Sequence, residues 1–500
     1  LTLLWCSLVC QAFAQEEEPL SPGDSVYAQV RSQMGAGNLD SAYFLLELAK
    51  STYRNEKDWE GMYQSTQGLM FISWRKGNTD KAFSFIDSML LIAGMKGIEP
   101  DERAEMLGKA YGYGGVFKAG QGHYTEAINN YEKAIGQFKA MEQMDSVSLA
   151  TQWNNLANVH SDRGDYEKAQ SCFEQTLALL EGNFKRLDVR ASALNNLGQI
   201  KYRLEVYPAA KAYFLRAFNL YQAYARSQGS KNFGYSENFT VACNNLGKTY
   251  LQLNQLDSSA FYLELARNTQ VTRKLTRQQP LTNLFLGQLY LKKGKTDQGI
   301  ATLEKGLQQA IEQFELPNTY VARCYFSLAE AKKNQGELQN ALNLYLKSSE
   351  ALVHRPLNNG LPENQEDVAS EMELLKTLTA KAELLWQLYQ KRMEKAFLEE
   401  AFRHYQFIDE LILNARQSYL EDNSKHYLAE KSHEIFGRAI RVAATLFREN
   451  GEQKYLEAAF AFMESNKATA LLESLKENEA RMFTRLRETA RGKVLLREEE

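Results

Sequence analysis

Cysteine is scarce: five in 500 residues, none in a C-x-x-C pair, which removes a dense disulfide framework and the short zinc signatures. Eight prolines and thirty glycines are too few for collagen-like or low-complexity chains. Neither charge sign dominates. Lys and Arg number 59 against 62 Asp and Glu, leaving −3, without the basic footprint of a dedicated nucleic-acid binder. After residue 14 no apolar run approaches the ~20 residues that a bilayer-crossing helix needs. There is no G-x-x-x-x-G-K-[ST] and no H-E-x-x-H, so the common phosphate-loop and metalloprotease motifs are missing too. What abounds is Glu, Lys, Ala, Leu and Gln, the strong helix formers. The hydrophobic fraction of 44% is too high for a largely disordered chain. Composition therefore predicts an all-α protein, and the length predicts several units or one extended array.

A repeat decides between them. Gly122-His123-Tyr124-Thr125-Glu126-Ala127 continues to Tyr131 and Ala134, and Gly164-Asp165-Tyr166-Glu167-Lys168-Ala169 continues to Phe173. The small residue of this unit recurs as Ala42, Ala82, Ala127, Ala169, Ala210, Ser259, Gly299 and Ala341, a period of about 42 residues. Twelve residues upstream lies a second small position: Gly115, Ala157, Gly198, Gly247, Gly287 and Ala329. Two helices per unit, each small at one point, can cross closely there. Large residues four beyond the first landmark (Leu46, Ile86, Tyr131, Phe173, Phe214, Leu263, Leu303, Tyr345) are expected to fill the space between neighbouring units. Gly37, Gly77, Gly122, Gly164, Gly294 and Gly336 fall between helices, where a positive φ is tolerated. Pro100, Pro280, Pro317 and Pro356 are expected between units, and Pro208 at a helix start.

The pattern W-x₂-L-G-x₂-Y…A-x₃-F is that of tetratricopeptide repeats. Trp153-Asn154-Asn155-Leu156-Ala157 with Ala169 and Phe173 resembles it most fully, and Asn244-Asn245-Leu246-Gly247-Lys248-Thr249-Tyr250 resembles its first helix. The longer period, and the N-N-L-A/G wording, are similar to the repeats of kinesin light chains. Seven extra residues over the usual 34 amount to two more helical turns per unit. The resemblance implies an α-solenoid of eight helix pairs over residues 23–353, wound as a right-handed superhelix, the first two pairs degenerate.

In such repeats the first helix of each pair lines the concave face. Residues at i and i+4 share a helical face, which places Asn154 with Asn158, Asn195 with Gln199, and Asn244 with Lys248 on one stripe. Asn155, Asn196 and Asn245 sit one residue round. Carboxamides donate and accept together. A stacked row of them suits the backbone of an extended protein or peptide ligand, or fastens neighbouring units to one another; both uses stand open.

Residues 1–14 are apolar, end Ala12-Phe13-Ala14 and precede Gln15 and three glutamates. This fits a secretory signal peptide cleaved near Ala14-Gln15, with 15–22 as a linker and the mature chain exported to the periplasm or cell surface. Cleavage leaves Cys172, Cys243 and Cys324, each within a helical pattern as apolar filler. Residues 354–370 are turn-rich and aperiodic. Beyond them the repeat register is lost, and longer helices are predicted over Met372–Tyr389, Lys395–Tyr419, Lys425–Arg448 and from Gln453 to at least Leu475. Ala459-Phe460-Ala461-Phe462-Met463-Glu464-Ser465-Asn466-Lys467-Ala468, leading to Leu471-Leu472-Glu473-Ser474-Leu475, resembles the segment before the protease domain of CHAT proteins, caspase-like peptidases associated with tetratricopeptide repeats. An isoleucine-proline pair common soon after this segment is absent near Phe483. The chemistry of that family needs a His base and a Cys nucleophile; neither is visible here, so no catalytic residue is assigned and the catalytic domain is expected beyond Glu500.

The resemblance thus implies the non-enzymatic sensor or regulatory half of an exported bacterial peptidase. Two rivals stand beside it: the periplasmic half of a signalling receptor with a kinase or DNA-binding output, and a stand-alone adaptor. No cofactor and no metal site is expected. His426 and His433 share a helical face without a third ligand, Glu464 and Lys467 form a surface pair, and Tyr111-Gly112-Tyr113-Gly114-Gly115 lies in a helix rather than a phosphate loop. Met89, Met95, Met106, Met141 and Met144 are read as core filler.

Overall fold

A computed structural model describes residues 21–182, 186–227, 237–364, 368–418 and 422–467. The signal-peptide reading of residues 1–14 and the Leu471–Leu475 end of the CHAT-like segment lie outside them. Among the described residues the fold is all-helical, with only isolated bridges, Val353 to Val368 and Asn358 to Leu361. The helices are α1 Pro22–Gly35, α2 Leu39–Glu56, α3 Trp59–Arg75, α4 Thr79–Ala93, α5 Pro100–Gly120, α6 Tyr124–Ala140, α7 Ser146–Asp162, α8 Tyr166–Leu179, α9 Leu187–Arg203 and α10 Tyr207–Ser227. They continue as α11 Glu237–Gln252, α12 Leu256–Arg273, α13 Gln279–Lys292, α14 Thr296–Gln313, α15 Thr319–Asn334, α16 Leu338–Glu350, α17 Glu371–Arg392, α18 Lys395–Ser418 and α19 Asp422–Asn450. Residues 453–467 are again helical. Each predicted small-residue landmark falls on the second helix of a pair, α2, α4 and so on to α16.

The chain forms two compact units, residues 1–159 with 178–180, and 160–177 with 181–500. In the first, α1 packs on α2, α3 on α4 and α5 on α6; in the second, α9 packs on α10, α11 on α12, α13 on α14, α15 on α16 and α17 on α18. The pairing therefore runs on beyond the aperiodic segment, into helices that lack the landmark spacing. Buried Ala382 and Ala401 lie on α17 and α18.

Close crossing is visible where the small residues meet. In α13 and α14, a Cβ on Gly287 would lie 3.0 Å from the Gly299 carbonyl oxygen, and one on Gly299 3.1 Å from that of Gly287. In α11 and α12, Ser259 donates 2.8 Å to the Gly247 carbonyl oxygen. At several crossings the large residue four positions on, expected between units, also fills the crossing of its own pair. A Cβ on Gly198 would stand 2.6 Å from Phe214 Cε1, one on Gly115 2.6 Å from Tyr131 Cε1, and one on Gly287 2.6 Å from Leu303 Cγ. The reason is geometric: positions four apart share a helical face, so the face that carries the landmark carries its large neighbour too. Leu46 meets the Gly68 position of α3, in the following pair.

Short turns join the helices. Gly37, Gly77, Gly122, Gly164, Gly294 and Gly336 all have φ between 74° and 83°. Most of these turns repeat one hydrogen-bond pattern: Asp165 N donates to His160 O and Tyr166 N to Gly164 O, just as Val206 N donates to Lys201 O and Tyr207 N to Glu205 O. Glu205 holds the same left-handed conformation, φ 58°, with a side chain.

Pro100 and Pro280 sit in the first turn of α5 and α13 rather than between units, because a missing N–H costs nothing among the unpaired donors of a helix start. Met89 and Met106 are buried, whereas Met95 and Met144 stand exposed where the chain has left its helix. The three described cysteines are buried, and burial pushes the Cys324 thiol up to about 12. Lys467 reaches Glu464 at 2.7 Å with both side chains exposed. The side chain of His426 lies outside the described residues, and His433 Nδ1 is 2.8 Å from Asn466 Oδ1.

Two substitutions test this account of the pairs. Gly198→Ala is expected to destabilise by about 1–3 kcal/mol by overpacking Phe214, with Phe214→Leu recovering part of it in a thermal melt. Glu205→Gly is expected to stabilise by about 1 kcal/mol, since a side chain in the left-handed region costs roughly 1–2.

Candidate functional site on the first helices of the second unit

Within the second unit the first helices form their own row: α9 touches α11, α11 touches α13, α13 touches α15 and α15 touches α17. Adjacent residues on a helix point about 100° apart, so neighbouring asparagines on one helix meet different neighbours. Asn245 of α11 donates 2.8 Å back to Asn195 Oδ1 of α9. Asn244, fully buried, accepts 2.9 Å from the Thr282 hydroxyl of α13. Asn195 also donates to Asn196 Oδ1 at 3.4 Å. Asn195, Asn244 and Asn245 are all buried, and these bonds tie consecutive pairs together. The single straight stripe through Asn195 and Asn244 is replaced by diagonal links, from one first helix to the next.

Asn196, Gln199 and Lys248 stay partly open to solvent, as do Asn154, Asn155 and Asn158 of the first unit. The Asn154 Oδ1 atom is buried without a hydrogen-bond partner. In that unit the first helices α3 and α5 instead join aromatic side chains: Phe71 meets Tyr113 at 5.3 Å and Trp74 meets Phe117 at 5.9 Å, centre to centre.

Lys248 leads to the most unusual surroundings in the second unit. Its ammonium lies 4.3 Å from the Tyr202 ring centre and 6.0 Å from that of Phe214. Burial, then repulsion from Arg323 and Arg203, lowers its pKa to about 7, against a weaker pull from Glu373. Those partners come from α9, α15 and α17. Tyr202 in turn feels Arg323, Glu373 and Glu205, and burial raises its hydroxyl pKa.

Arg323 brings Nε to 2.7 Å and Nη2 to 2.5 Å from Glu373 Oε1, although 38% of the arginine and 20% of the glutamate side chain stay exposed. Burial works to raise Glu373, but Arg323 and Lys376 outweigh it and hold the carboxyl below its ordinary range. Lys376 lies 4.2 Å over the Phe326 ring, and its pKa is lowered, first by burial. Tyr202, Lys248, Arg323 and Glu373 are half-buried, and Arg203, Glu205 and Lys376 are exposed.

Of these, sequence reasoning singled out Lys248 alone. Tyr202 was within reach, three residues past Gln199 on the same face. Glu373 and Lys376 were not, because they follow the segment where the repeat register stops. Among the described residues no three His, Cys, Asp or Glu side chains are placed to share a metal ion, and no helix is long and apolar enough to cross a membrane.

Comparison with known families now fixes the class of repeat. Residues 147–223 match one family model of the tetratricopeptide repeat, and residues 241–266 and 282–310 match a second. These segments are tetratricopeptide repeats, and the chain is a helical scaffold built on them. No curated protein matches the sequence. Among solved structures, a Rap protein complexed with competence and sporulation factor is similar at 15% identity and TM-score 0.49, over 79% of this chain and 100% of that one. The quorum sensor NprR from B. thuringiensis, in its apo form, is similar at 15% identity and TM-score 0.48, over 66% of this chain and 87% of that one. A tetratricopeptide repeat protein from Parabacteroides merdae ATCC 43184 is similar at 17% identity and TM-score 0.39, over 63% and 98% respectively. The repeat assignment rests on the family match and the helix pairs, not on these three.

Two outcomes are expected. Asn195→Ala strands the Asn245 amide, at a cost of about 1–3 kcal/mol, and the double variant Asn195→Ala/Asn245→Ala is expected to cost less than the two single losses together in denaturant unfolding. For Lys248 the sign follows from a folded pKa, about 7, that lies below the unfolded one of 10.5. The unfolded chain then binds more protons between these values, and stability rises with pH across that window. Lys248→Met is expected to raise the melting temperature most at and below pH 7, the gain shrinking toward pH 10.5.

Proposed function

We propose that this chain is a peptide- or protein-binding scaffold whose ligand lies on the concave row of first helices in the second unit. The observation that carries this reading is that the row of first helices presents, each at least partly open to solvent, Lys248 beside the Tyr202 ring, the Arg323–Glu373 ion pair and Lys376 over the Phe326 ring. Rings, paired ions and free ammonium groups at one place suit an extended chain with mixed side chains better than a small apolar compound.

Within this reading the chain is itself not an enzyme and acts after export. The segment from Ala459 to Leu475 favours one setting, the regulatory half of a CHAT-type caspase-like peptidase whose catalytic domain follows residue 500. The 42-residue period likewise favours repeats of the kinesin-light-chain type. Ligand capture by the repeats would then bias the helices after residue 370, and through them the protease.

Screening the full chain against a library of fluorescent heptapeptides is expected to yield binders that Gln199→Trp weakens at least tenfold, with an unchanged melting temperature. A screen without binders would remove the peptide reading. The protease setting has a separate check: a continuing reading frame with a His and then a Cys on alternating strands and helices supports it, and a transmembrane run in that place moves the chain to the receptor class.

A further inference from the structure

Lysines of the neighbouring first helices have oxygen acceptors. Lys201 of α9 donates to Gln170 Oε1 at 2.8 Å, and Lys292 of α13 to the Leu251 carbonyl at 3.0 Å. Lys248 of α11 has none. Among the described residues no oxygen accepts from its ammonium and no carboxylate pairs with it. What it meets are ring faces, Tyr202 at 4.3 Å and Phe214 at 6.0 Å. Three N–H donors thus stand half-buried against groups that accept no ordinary hydrogen bond.

Opposing effects act on this amine. A ring face attracts a cation, whereas shelter from water disfavours one. The charged groups that act on it come from α9, α15 and α17: Arg323 and Arg203 repel it, and Glu373 attracts it. Each arginine has a carboxylate of its own, Asp162 facing Arg203 and Glu373 bonded to Arg323, so their repulsion is muted. Glu205 acts on Tyr202, α10 presents the Phe214 ring, and Lys376 stands exposed. Shelter is the largest effect, and the Lys248 pKa falls to about 7. About half of the molecules then carry a free amine at neutral pH, against roughly one in a few thousand for an ordinary lysine.

We propose that Lys248 is a nucleophilic amine that captures small aldehydes as a Schiff base on the open side of the first-helix row. A lysine sheltered from water, or set beside other cations, is activated for this chemistry. The amine lone pair adds to the carbonyl carbon. Both amine protons pass through solvent to the carbonyl oxygen, which departs as water and leaves a C=N bond; no oxidant or reductant takes part. Once protonated from solvent, the iminium keeps a positive charge over the Tyr202 ring. It has one N–H group lacking an acceptor where the ammonium had three. An aldehyde is the least crowded carbonyl, which suits a half-buried nitrogen. This chemistry is separate from peptide capture and does not depend on it.

The test mixes the full chain with propionaldehyde and cyanoborohydride, which reduces the Schiff base to a stable propylamine. Mass spectrometry of proteolytic peptides then reads each lysine. Lys248 is expected to be modified at least tenfold faster than the median lysine at pH 7. The factor is smaller than the amine fraction alone gives, because a less basic nucleophile is intrinsically slower, as among thiols. That ratio is expected to fall severalfold by pH 10, where ordinary lysines also lose their protons. Lys248→Arg is expected to lose the single fast addition seen in the intact mass and to keep the slow ones. A ratio near one at pH 7 overturns the inference, and so does a ratio that does not change with pH. Both readouts come from the unaltered chain, so they stand even where the variant fails to fold, and neither bears on the peptide reading.

Discussion

Helix pairs in this protein stand or fall on a contact in which one helix gives up its side chain. At Gly198 the place of a Cβ is taken by the Phe214 ring, and at Gly115 by Tyr131. The two residues act as one unit. A buried aromatic contributes roughly 1.5–3 kcal/mol by leaving water, and it can do so only if the facing helix is bare. Where both crossing residues are small, as with Gly287 and Gly299, the backbones themselves approach to within contact. This spacing sets how far apart the two helices lie, and hence how much of each first helix remains to face a ligand.

Polar links then join one pair to the next. Asn195 with Asn245, and Asn244 with Thr282, form bonds between groups 50 and 38 residues apart along the chain. Buried amides and hydroxyls without partners are costly, so each link holds its neighbours in one register. Apolar contacts alone would be less selective, because they tolerate sliding. The same row that is fastened on its buried side carries Tyr202, Lys248, Arg323 and Glu373 on its open side. Division of labour within a helix follows from its 100° step.

The row of first helices holds a frustrated electrostatic arrangement. Arg323 and Glu373 satisfy each other, while Lys248 meets rings and repelling guanidinium groups. Such an arrangement makes the free scaffold less stable at and below neutral pH than an apolar lining would.

The repeat itself was legible in the sequence. Eight small residues spaced about 42 apart and glycines in the turns are local requirements of backbone conformation and close approach, and local requirements leave marks at fixed spacing. The pairing of α17 with α18 was not legible, because it is made without those marks. Nor could spacing tell whether Asn195 and Asn244 face a ligand or a neighbour, since a carboxamide suits both. That choice depends on how consecutive first helices lie against one another, which brought Asn245, not Asn244, to Asn195. The surroundings of Lys248 were decided later still. They join residues from Tyr202 to Lys376, and a charge distributed across four helices has no period along the chain.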